Sequence, residues 1–287
     1  MKRWKKAWMV LKTKKFWGFV WELSLLTKTP DVIFLHLANL RSALNGKPVR
    51  FRKDRNSIFF VASDGGGKEM SFSNKKRGYW VYRNGVGARG GFLWASYCLA
   101  HITFRPDDIV IDCGANSGDL FLQLREHIPP QNYFAIEPNP MDYRVLARNI
   151  PLAHHRFFAL GEADRQSVLY VQTSRADSSL IEPRNFESTV STVVRSLDSV
   201  VLEETIPQIK LLKVEAEGYE PEVLRGARKS LALCEYVAID GGPERGINRE
   251  ATFCEISNVL FSAGFELVDV YFPWSRALFR KIQKPSN

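Results

Sequence analysis

The chain is most informative at residues 109–119, which read IVIDCGANSGD. An apolar run leads into Asp112 and then into a turn of small residues, which predicts a buried strand over residues 108–113 and a helix over 118–127. Gly114 and Gly118 lack the Cβ atoms that would keep a ligand away from the backbone. The start of the helix turns free N–H groups toward the same place. The segment therefore predicts a βα unit that holds a ligand at its turn.

Strand and helix patterns continue to alternate beyond this unit. Further strands are expected at residues 133–136, 155–160, 209–214, 236–240, 265–271 and 277–281, and helices at 140–149, 221–230 and 249–263. Repeated βα units require a mostly parallel sheet with helices on both faces. The short link 272–276 makes the last two strands an antiparallel pair. The expected fold class is α/β, a doubly wound, mostly parallel, seven-stranded, Rossmann-like sheet.

Two regions precede this domain, which we place at residues 91–287. Residues 1–45 are a basic, Trp-rich helical extension, and residues 46–90 are a small β-rich region suited to a substrate or cap role. Strands are expected there at 49–52, 57–62 and 79–82, with a glycine-rich turn at 64–67. The segment 75–89 mixes arginine with tyrosine and tryptophan, which favours either sugar or phosphate recognition or a twisted hairpin with a solvated edge.

Charge is concentrated at the amino end. The formal net charge is +9, and the first 30 residues carry +7 of it. Residues 2–21, which hold Trp4, Trp8, Trp17 and Trp21, predict an interfacial helix on an anionic membrane. The alternative is a helix that covers the catalytic domain. A near-neutral body argues against a nucleic-acid partner.

The cysteines indicate a reducing compartment. None of the four cysteines has C-x-x-C spacing, and three lie in apolar runs, where cysteine acts as a small buried hydrophobe. No apolar run is long enough to span a bilayer, and no clean signal peptide is present. We expect a cytoplasmic protein, with possible peripheral attachment at the inner face of the membrane.

Candidate ligand-binding residues follow from the fold. In open α/β sheets, ligands bind beyond the carboxyl ends of the strands, and glycine or acidic residues stand at those ends. Glu137, at the end of the second strand, can accept hydrogen bonds from both hydroxyls of a ribose. The candidate cofactor-binding residues are Asp112, Gly114, Ala115, Asn116, Gly118, Asp119, Glu137, Gly161 and Glu162.

The spacing of the glycines bears on which nucleoside binds. A dinucleotide turn reads G-x-G-x-x-G, whereas Gly114 and Gly118 are four residues apart. Asp119 would repel a pyrophosphate and suits a ligand with cationic groups, such as the ammonium and sulfonium of S-adenosylmethionine. An NAD-dependent oxidoreductase fits the sheet but not this spacing. The remaining alternative is a structural βα turn without a ligand.

Four motifs together resemble the FkbM-type methyltransferase family, over about residues 79–281. Residues 111–119 are similar to the family's D-x-G-A-N-x-G. Residues 211–227 read LLKVEAEGYEPEVLRGA and resemble its K-I-D-x-E-G-x-E-x-x-V-L-x-G-A. RSLD at 195–198 and ALFRK at 277–281 are similar to its L-D and its closing strand.

The resemblance implies a class I fold and an S-adenosylmethionine-dependent enzyme. It further implies methyl transfer to oxygen on a saccharide, a glycolipid or a glycosylated natural product. One position departs from the family pattern, because Glu215 stands where the family usually has Asp. This departure motivates an alternative: a catalytically impaired, glycan- or membrane-associated scaffold that retains the fold.

Three acidic residues are the catalytic candidates: Glu215, Glu217 and Asp240. A sugar hydroxyl is a weak nucleophile, so a general base or a Lewis acid would assist it. Glu215 and Asp240 would lie on adjacent strand ends, as one base and one hydrogen-bonding group, or as holders of a Mg²⁺ with its waters. No residue is assigned as a dedicated metal ligand. Glu217 has the alternative role of favouring the start of the next helix.

The polar loop 173–186 suits a lid or an acceptor contact. It contains Ser178 and Ser179 together with Arg175 and Arg184, and loops of this length are often functional. The expected partner is a saccharide or glycolipid acceptor.

Overall fold

The computed structural model describes residues 29–65, 67–174 and 177–283. The chain divides into two compact units, residues 1–89 and 90–287, which are taken in turn. The predicted interfacial helix at residues 2–21 lies outside the described residues and stays a prediction. Within the described ranges, no helix is both long enough and apolar enough to cross a membrane.

The first unit contains a three-stranded antiparallel sheet and helices. Its elements are α1 (Asp31–Leu44), β1 (Arg50–Lys53), β2 (Phe60–Ser63), β3 (Glu69–Phe72), α2 (Lys75–Tyr82) and the beginning of α3 (Val86–Ser96). The strands pair in the order β1-β2-β3. The predicted β-rich character of this region is present, but helices flank the sheet.

The strand expected at residues 79–82 is wrong, because these residues belong to α2. The side chain of Asn74 accepts hydrogen bonds from the N–H groups of Lys76 and Arg77 and so caps the start of a helix. Tyr79 and Tyr82 are buried on one helical face. The aromatic residues that resemble a strand in sequence are therefore the inner face of an amphipathic helix.

The second unit is an α/β domain. Its elements after α3 are β4 (Val110–Cys113), α4 (Phe121–Leu124), β5 (Tyr133–Ile136), α5 (Pro140–Asn149), β6 (His154–Arg156), β7 (Ala159–Leu160), β8 (Arg165–Val171), β9 (Ser188–Arg195), α6 (Leu197–Glu203), β10 (Ile209–Val214), α7 (Glu220–Arg225), β11 (Cys234–Asp240), β12 (Pro243–Arg245), β13 (Glu250–Ala251), α8 (Phe253–Ser262), β14 (Phe265–Tyr271) and β15 (Arg276–Lys281).

The main sheet has seven strands in the order β14-β15-β11-β10-β4-β5-β6. The strands from β11 to β6 are parallel, whereas β15 is antiparallel to both β11 and β14. The expected fold class and the antiparallel closing pair are therefore confirmed. All four residues of β4 and of β5 are buried, as in a parallel sheet covered on both faces.

Smaller elements differ from the sequence-based expectation. The strand expected at residues 155–160 is divided, since β6 lies in the main sheet and β7 pairs with β9 in a second sheet of order β7-β9-β8. The helix expected over 118–127 is regular only in α4. The helix expected over 249–263 begins at Phe253, because Glu250–Ala251 pairs with Pro243–Arg245 as a hairpin.

The sheet order determines where the crevice lies. The chain leaves β4 toward β5 on one side, while β10 and β11 lie on the other side. The loops after β4 and β10 therefore diverge at a topological switch point, where open α/β sheets bind their ligands.

Candidate active site

The turn after β4 is held to the neighbouring strand by backbone hydrogen bonds. The N–H groups of Gly114 and Ala115 both donate to the carbonyl of Ile136 at 3.0 Å. Asn116 follows with a left-handed φ of 51°, a conformation that asparagine adopts more readily than most residues. The turn is thus built from backbone contacts, which leaves its small side chains beside the crevice.

Glu137 connects two turns at the edge of the sheet. Its Oε2 accepts the N–H of Asn116 at 2.8 Å, and its Oε1 accepts the N–H of Asn139 at 2.8 Å. The side chain is only 5% exposed. The structure therefore places Glu137 against the β4 turn, where the sequence predicted a ribose-binding acid.

Gly114 and Gly118 are required by the protein itself. A Cβ atom at Gly114 would lie 2.0 Å from the carbonyl oxygen of Glu215, and one at Gly118 would lie 2.6 Å from Cδ1 of Ile150. Both glycines also have positive φ, 73° and 85°. From the sequence, the two glycines were expected to let a ligand approach the backbone. In the structure, close packing against other parts of the protein is already enough to require glycine at both positions.

Asp112 is an internal support of the site. It is 1% exposed, accepts a short hydrogen bond from the hydroxyl of Tyr133, and pairs with Nζ of Lys213 at 2.9 Å. Asp119 is also buried, just ahead of α4. Asp112 therefore shapes the turn from beneath, and its contacts are with protein groups.

Gly161 and Glu162 lie in a different environment from the β4 turn. The N–H of Gly161 donates to the carbonyl of Arg195 in β9, and a Cβ atom there would meet Val194. Glu162 is exposed and pairs with Arg225 of α7 at 3.3 Å. The described contacts of these two predicted cofactor-binding residues are thus with β9 and α7.

A buried lysine links β4 to the end of β10. Nζ of Lys213 lies 2.9 Å from Asp112 and 3.0 Å from Glu215, and it donates to the carbonyls of Cys113 and Gly114 at 3.1 and 2.8 Å. Burial would lower the pKa of this lysine, but the two carboxylates outweigh burial and raise it. Lys213 is therefore a charged cross-link under the turn.

Arg276 lies between the carboxylates of Glu215 and Asp240. The sequence left open that this pair holds a Mg²⁺. Its guanidinium donates to Glu215 at 2.8 Å, to Asp240 at 2.7 Å and to the hydroxyl of Ser96 at 2.9 Å. The group also lies 4.4 Å from the centre of the Tyr97 ring. The cation that bridges this pair is an arginine side chain.

These contacts favour the charged form of Glu215. Burial alone would raise its pKa, but Lys213 and Arg276 outweigh burial and hold the pKa well below its ordinary value. A carboxylate that binds protons so weakly is a poor general base. The longer side chain of Glu215, compared with the aspartate usual in the family, reaches both cations.

Glu217 and Glu244 lie in the opposite electrostatic environment. Burial raises the pKa of Glu217 well above its ordinary value, and Glu244 and Glu215 add to the rise. Burial likewise raises the pKa of Glu244 to about 8, with Asp240 and Glu215 contributing. A raised pKa makes a carboxylate a stronger proton acceptor once it is ionised.

The β12–β13 hairpin brings Glu244 to this place. The guanidinium of Arg245 donates a hydrogen bond to the carbonyl of Gly218 at 2.6 Å. It also donates to both carboxylate oxygens of Glu222, at 2.8 and 2.9 Å. A Cβ atom at Gly218 would lie 2.4 Å from Cα of Arg245. The loop after β10 and the hairpin after β11 are thus packed backbone to backbone, with Glu217 and Glu244 on adjoining segments.

The loop between β8 and β9 contacts the same edge of the sheet. The hydroxyl of Ser178 accepts a hydrogen bond from the side-chain amide of Asn139 at 3.1 Å, and the hydroxyl of Ser179 donates to the carbonyl of Glu217 at 2.9 Å. This loop was predicted as a lid or an acceptor contact. The structure places its two serines beside the turns that carry Glu137 and Glu217.

Sequence reasoning missed Lys213, Arg276 and Glu244 as members of the site. Lys213 did carry a signal, since a lysine within the apolar run of a buried strand needs a buried partner. Arg276 and Glu244 carried none. Arg276 meets its partners because β15 lies beside β11, and Glu244 lies on a hairpin that the pattern did not reveal.

The fold and this edge define a class of protein. The strand order, the glycine turn after β4 and the acid at the end of β5 are those of a Rossmann-like methyltransferase domain. The chain belongs to the methyltransferase FkbM domain family, whose match covers residues 112–269, 158 of the chain's 287 residues. The resemblance inferred from the four motifs is thereby confirmed, and with it a family of S-adenosylmethionine-dependent methyltransferases.

Two curated proteins are distant relatives of this chain. The chain is 26% identical over 155 residues to the 2-O-methyltransferase NoeI of Sinorhizobium fredii, a match covering 46% of this chain and 63% of the relative. It is 24% identical over 227 residues to the methyltransferase sdnD of Sordaria araneosa, covering 66% of this chain and 86% of the relative. The chain thus spans less than two thirds of the first of these proteins.

Solved structures also resemble the chain weakly. Fibrillarin of Aeropyrum pernix in complex with S-adenosyl-L-methionine is 14% identical, with a TM-score of 0.40, 80% of this chain covered and 96% of that chain. The putative tRNA (m1A22) methyltransferase Sp1610 of Streptococcus pneumoniae is 14% identical, with a TM-score of 0.40, 68% of this chain covered and 72% of that chain.

Replacing Gly114 by alanine should destabilise the protein. The added Cβ would overlap the backbone of Glu215 and adopt a disfavoured φ, so we expect a loss of about 2 to 4 kcal/mol in the free energy of unfolding. Urea denaturation measures it. The matched control is Gly91→Ala, an exposed position in α3 with no atom within 4 Å of the added carbon, where stability should rise by up to about 1 kcal/mol. Equal stability of Gly114→Ala and wild type would contradict the close approach of the two turns.

Replacing Lys213 by methionine should destabilise the protein by about 3 to 5 kcal/mol at neutral pH, because Asp112 is left as a buried, unpaired charge. The loss should shrink as the pH falls, since a buried carboxyl without a partner takes up a proton in the folded state. Denaturant unfolding at two pH values measures both effects. Lys210→Met, on the same strand but paired with the more exposed Glu235, should cost about 1 kcal/mol or less. A pH-independent loss in Lys213→Met would remove the role assigned to Asp112.

Proposed function

We propose that this protein is an S-adenosylmethionine-dependent O-methyltransferase that acts on a hydroxyl of a saccharide, a glycolipid or a glycosylated natural product. Membership of the FkbM family supports the reaction type. The printed name of one relative, a 2-O-methyltransferase, supports a hydroxyl as the acceptor group. The observation that carries the proposal is the pair Glu217 and Glu244, a proton-accepting cluster beside the β4 turn.

The residues of the β4 turn suit the proposed donor. S-adenosylmethionine supplies, when bound, a methyl group on a positively charged sulfur. The buried acids Asp119 and Glu137 favour a ligand with positive groups, and the small residues Ala115 and Asn116 leave room for it. A carboxylate can accept up to about four hydrogen bonds, so Glu137 can hold two backbone amides and still bind ribose hydroxyls.

We assign removal of the acceptor's proton to Glu217. Glu244 adjusts the pKa of Glu217 through its negative charge. In the proposed transfer the acceptor oxygen would replace sulfur on the methyl carbon, and the hydroxyl proton would pass to the carboxylate of Glu217. The backbone of Glu215 touches Gly114, so the segment that ends in Glu217 adjoins the donor turn. Glu215 and Asp240, both held by Arg276, keep the segment in place and act as positioning residues.

The loop between β8 and β9 is the proposed acceptor contact. Its serines already bind the turns after β5 and β10, so closure of this loop over the crevice would exclude water from the acceptor. A saccharide offers several hydroxyls, and the polar residues of the loop are able to bind them. The β-rich region 46–90 remains our proposal for an accessory or cap region.

Donor binding tests the first half of the proposal. Glu137→Gln keeps the volume of the side chain but replaces an acceptor by a donor at the ribose, so the affinity for S-adenosylmethionine should fall by about tenfold or more in calorimetry. Glu266→Gln is the matched control, since Glu266 is exposed in β14 and pairs with Arg280, and its affinity should equal that of wild type. Equal affinities for all three proteins would remove the ribose assignment.

Transfer of labelled methyl to a glycan extract, with one added methylene unit in the product mass, tests the reaction itself.

The pH dependence of methyl transfer tests the base. The rate should rise with pH as the carboxyl group of Glu217 loses its proton, and burial places this rise well above the ordinary pKa of a glutamate. Glu244→Gln removes a negative charge near Glu217, so the rising limb should move to lower pH with activity retained. Glu217→Gln should lose activity by about a hundredfold or more. Glu250→Gln, exposed on the same hairpin, should leave the profile unchanged.

The stability of the protein gives an independent check. Between the ordinary value of 4.5 and about 8, the folded protein retains a proton on Glu244 that the unfolded chain releases. Stability should therefore fall as the pH rises through this window, and Glu244→Gln should flatten the decline.

An unmoved rate profile in Glu244→Gln would show that this residue does not tune the base. Donor binding without transfer to any glycan would favour the alternative of a catalytically impaired scaffold.

A further inference from the structure

The first unit contains a cavity that the proposed methyl transfer does not use. It has a volume of about 350 Å³ and lies between the carboxyl end of α1 with its following loop and the carboxyl end of α2. This volume falls within the range of small-molecule sites in proteins. The cavity is therefore large enough for a small ligand.

The cavity is strongly basic. Arg41, Lys47 and Arg83 line it, and none of the described residues in its wall is acidic. The carboxyl ends of α1 and α2 each contribute the equivalent of about half a negative charge, which the charges of Lys47 and Arg83 alone exceed. The remaining positive charge favours an anion, and arginine is the side chain best suited to phosphate because it can donate two parallel hydrogen bonds.

One wall of the cavity is an exposed aromatic platform. Trp80 is 49% exposed, and the guanidinium of Arg83 lies 4.5 Å from the centre of its ring. The stacked pair presents an apolar ring next to a phosphate-binding group. An indole ring packs well against the apolar C–H face of a sugar ring, since tryptophan combines a large apolar surface with a polar edge.

Polar groups complete the wall. Asn45 and Asn84 line the cavity and offer amide donors and acceptors. The hydroxyl of Ser42, in a side chain that is 2% exposed, has no hydrogen-bond partner among the described residues. Rotation about one bond would turn this hydroxyl toward a ligand and satisfy it. Hydroxyl-binding groups, an aromatic platform and three cations occur together in one cavity.

We propose that this cavity binds a phosphorylated saccharide, with the phosphate held by Arg83 and its basic neighbours and the sugar ring stacked on Trp80. The ligand is a soluble sugar phosphate or the sugar-phosphate headgroup of a lipid, which share this chemistry. The proposal does not rest on methyl transfer and concerns the first unit alone.

Calorimetry on the full-length protein, without a methyl donor, tests the proposal. Glucose 6-phosphate should bind more tightly than either glucose or inorganic phosphate, because only the phosphosugar engages both the platform and the cations. Trp80→Ala and Arg83→Ala should each weaken its binding by about tenfold or more. Arg55→Ala, the same charge change at an exposed position outside the cavity wall in the same unit, should bind as wild type does.

Two outcomes would overturn the proposal. Inorganic phosphate binding as tightly as glucose 6-phosphate would reduce the cavity to a general anion site, and binding that is unchanged in both wall variants would place the ligand elsewhere. Vesicles containing phosphatidylinositol phosphate distinguish the sources: tighter binding to vesicles than to glucose 6-phosphate assigns a lipid headgroup, and weaker binding assigns a soluble ligand. Because no donor is present, failure here is separate from failure of the methyl transfer assay.

Discussion

The geometry of the crevice in the second unit depends on the contacts that the ammonium group of Lys213 makes. It lies under the β4 turn, pairs with Asp112 and Glu215, and donates to the backbone carbonyls of Cys113 and Gly114. A charge buried to this extent is tolerated only with full pairing. The requirement for pairing therefore fixes the ends of β4 and β10 relative to each other, and with them both halves of the proposed active site.

The same requirement divides the acids of the site into two groups. Glu215 and Asp240 share the guanidinium of Arg276, so both belong to a structural network. Burial raises the pKa of both Glu217 and Glu244. The charge of Glu244 adds to the rise at Glu217, and the charges of Asp240 and Glu215 add to the rise at Glu244. Carboxyl groups of one chemical type thus acquire different roles from their surroundings, which is how acid and base functions are commonly separated in enzymes.

Much of the fold could be predicted because buried parallel strands have continuous apolar sequences. The strands around Val110–Cys113, Tyr133–Ile136 and Ile209–Val214 are of this kind, and the glycine turn and Glu137 followed from them. Prediction failed for Arg165–Val171 and Ser188–Arg195, whose strands are polar and half exposed and so resemble loops. It also failed for Lys75–Tyr82, where the same aromatic residues suit a strand or the inner face of a helix.

Local pattern alone was enough to establish the α/β class, the family, the turn after β4 and the acids at the strand ends. Tertiary structure alone decided which of those acids pair with a buried cation and which lie beside other acids. The reason is distance along the chain: Arg276 reaches Ser96, and Lys213 reaches the carbonyl of Cys113, across 180 and 100 positions. Periodicity reports which face of an element is buried, but the charge that meets a given carboxylate depends on how strands distant in sequence are placed side by side.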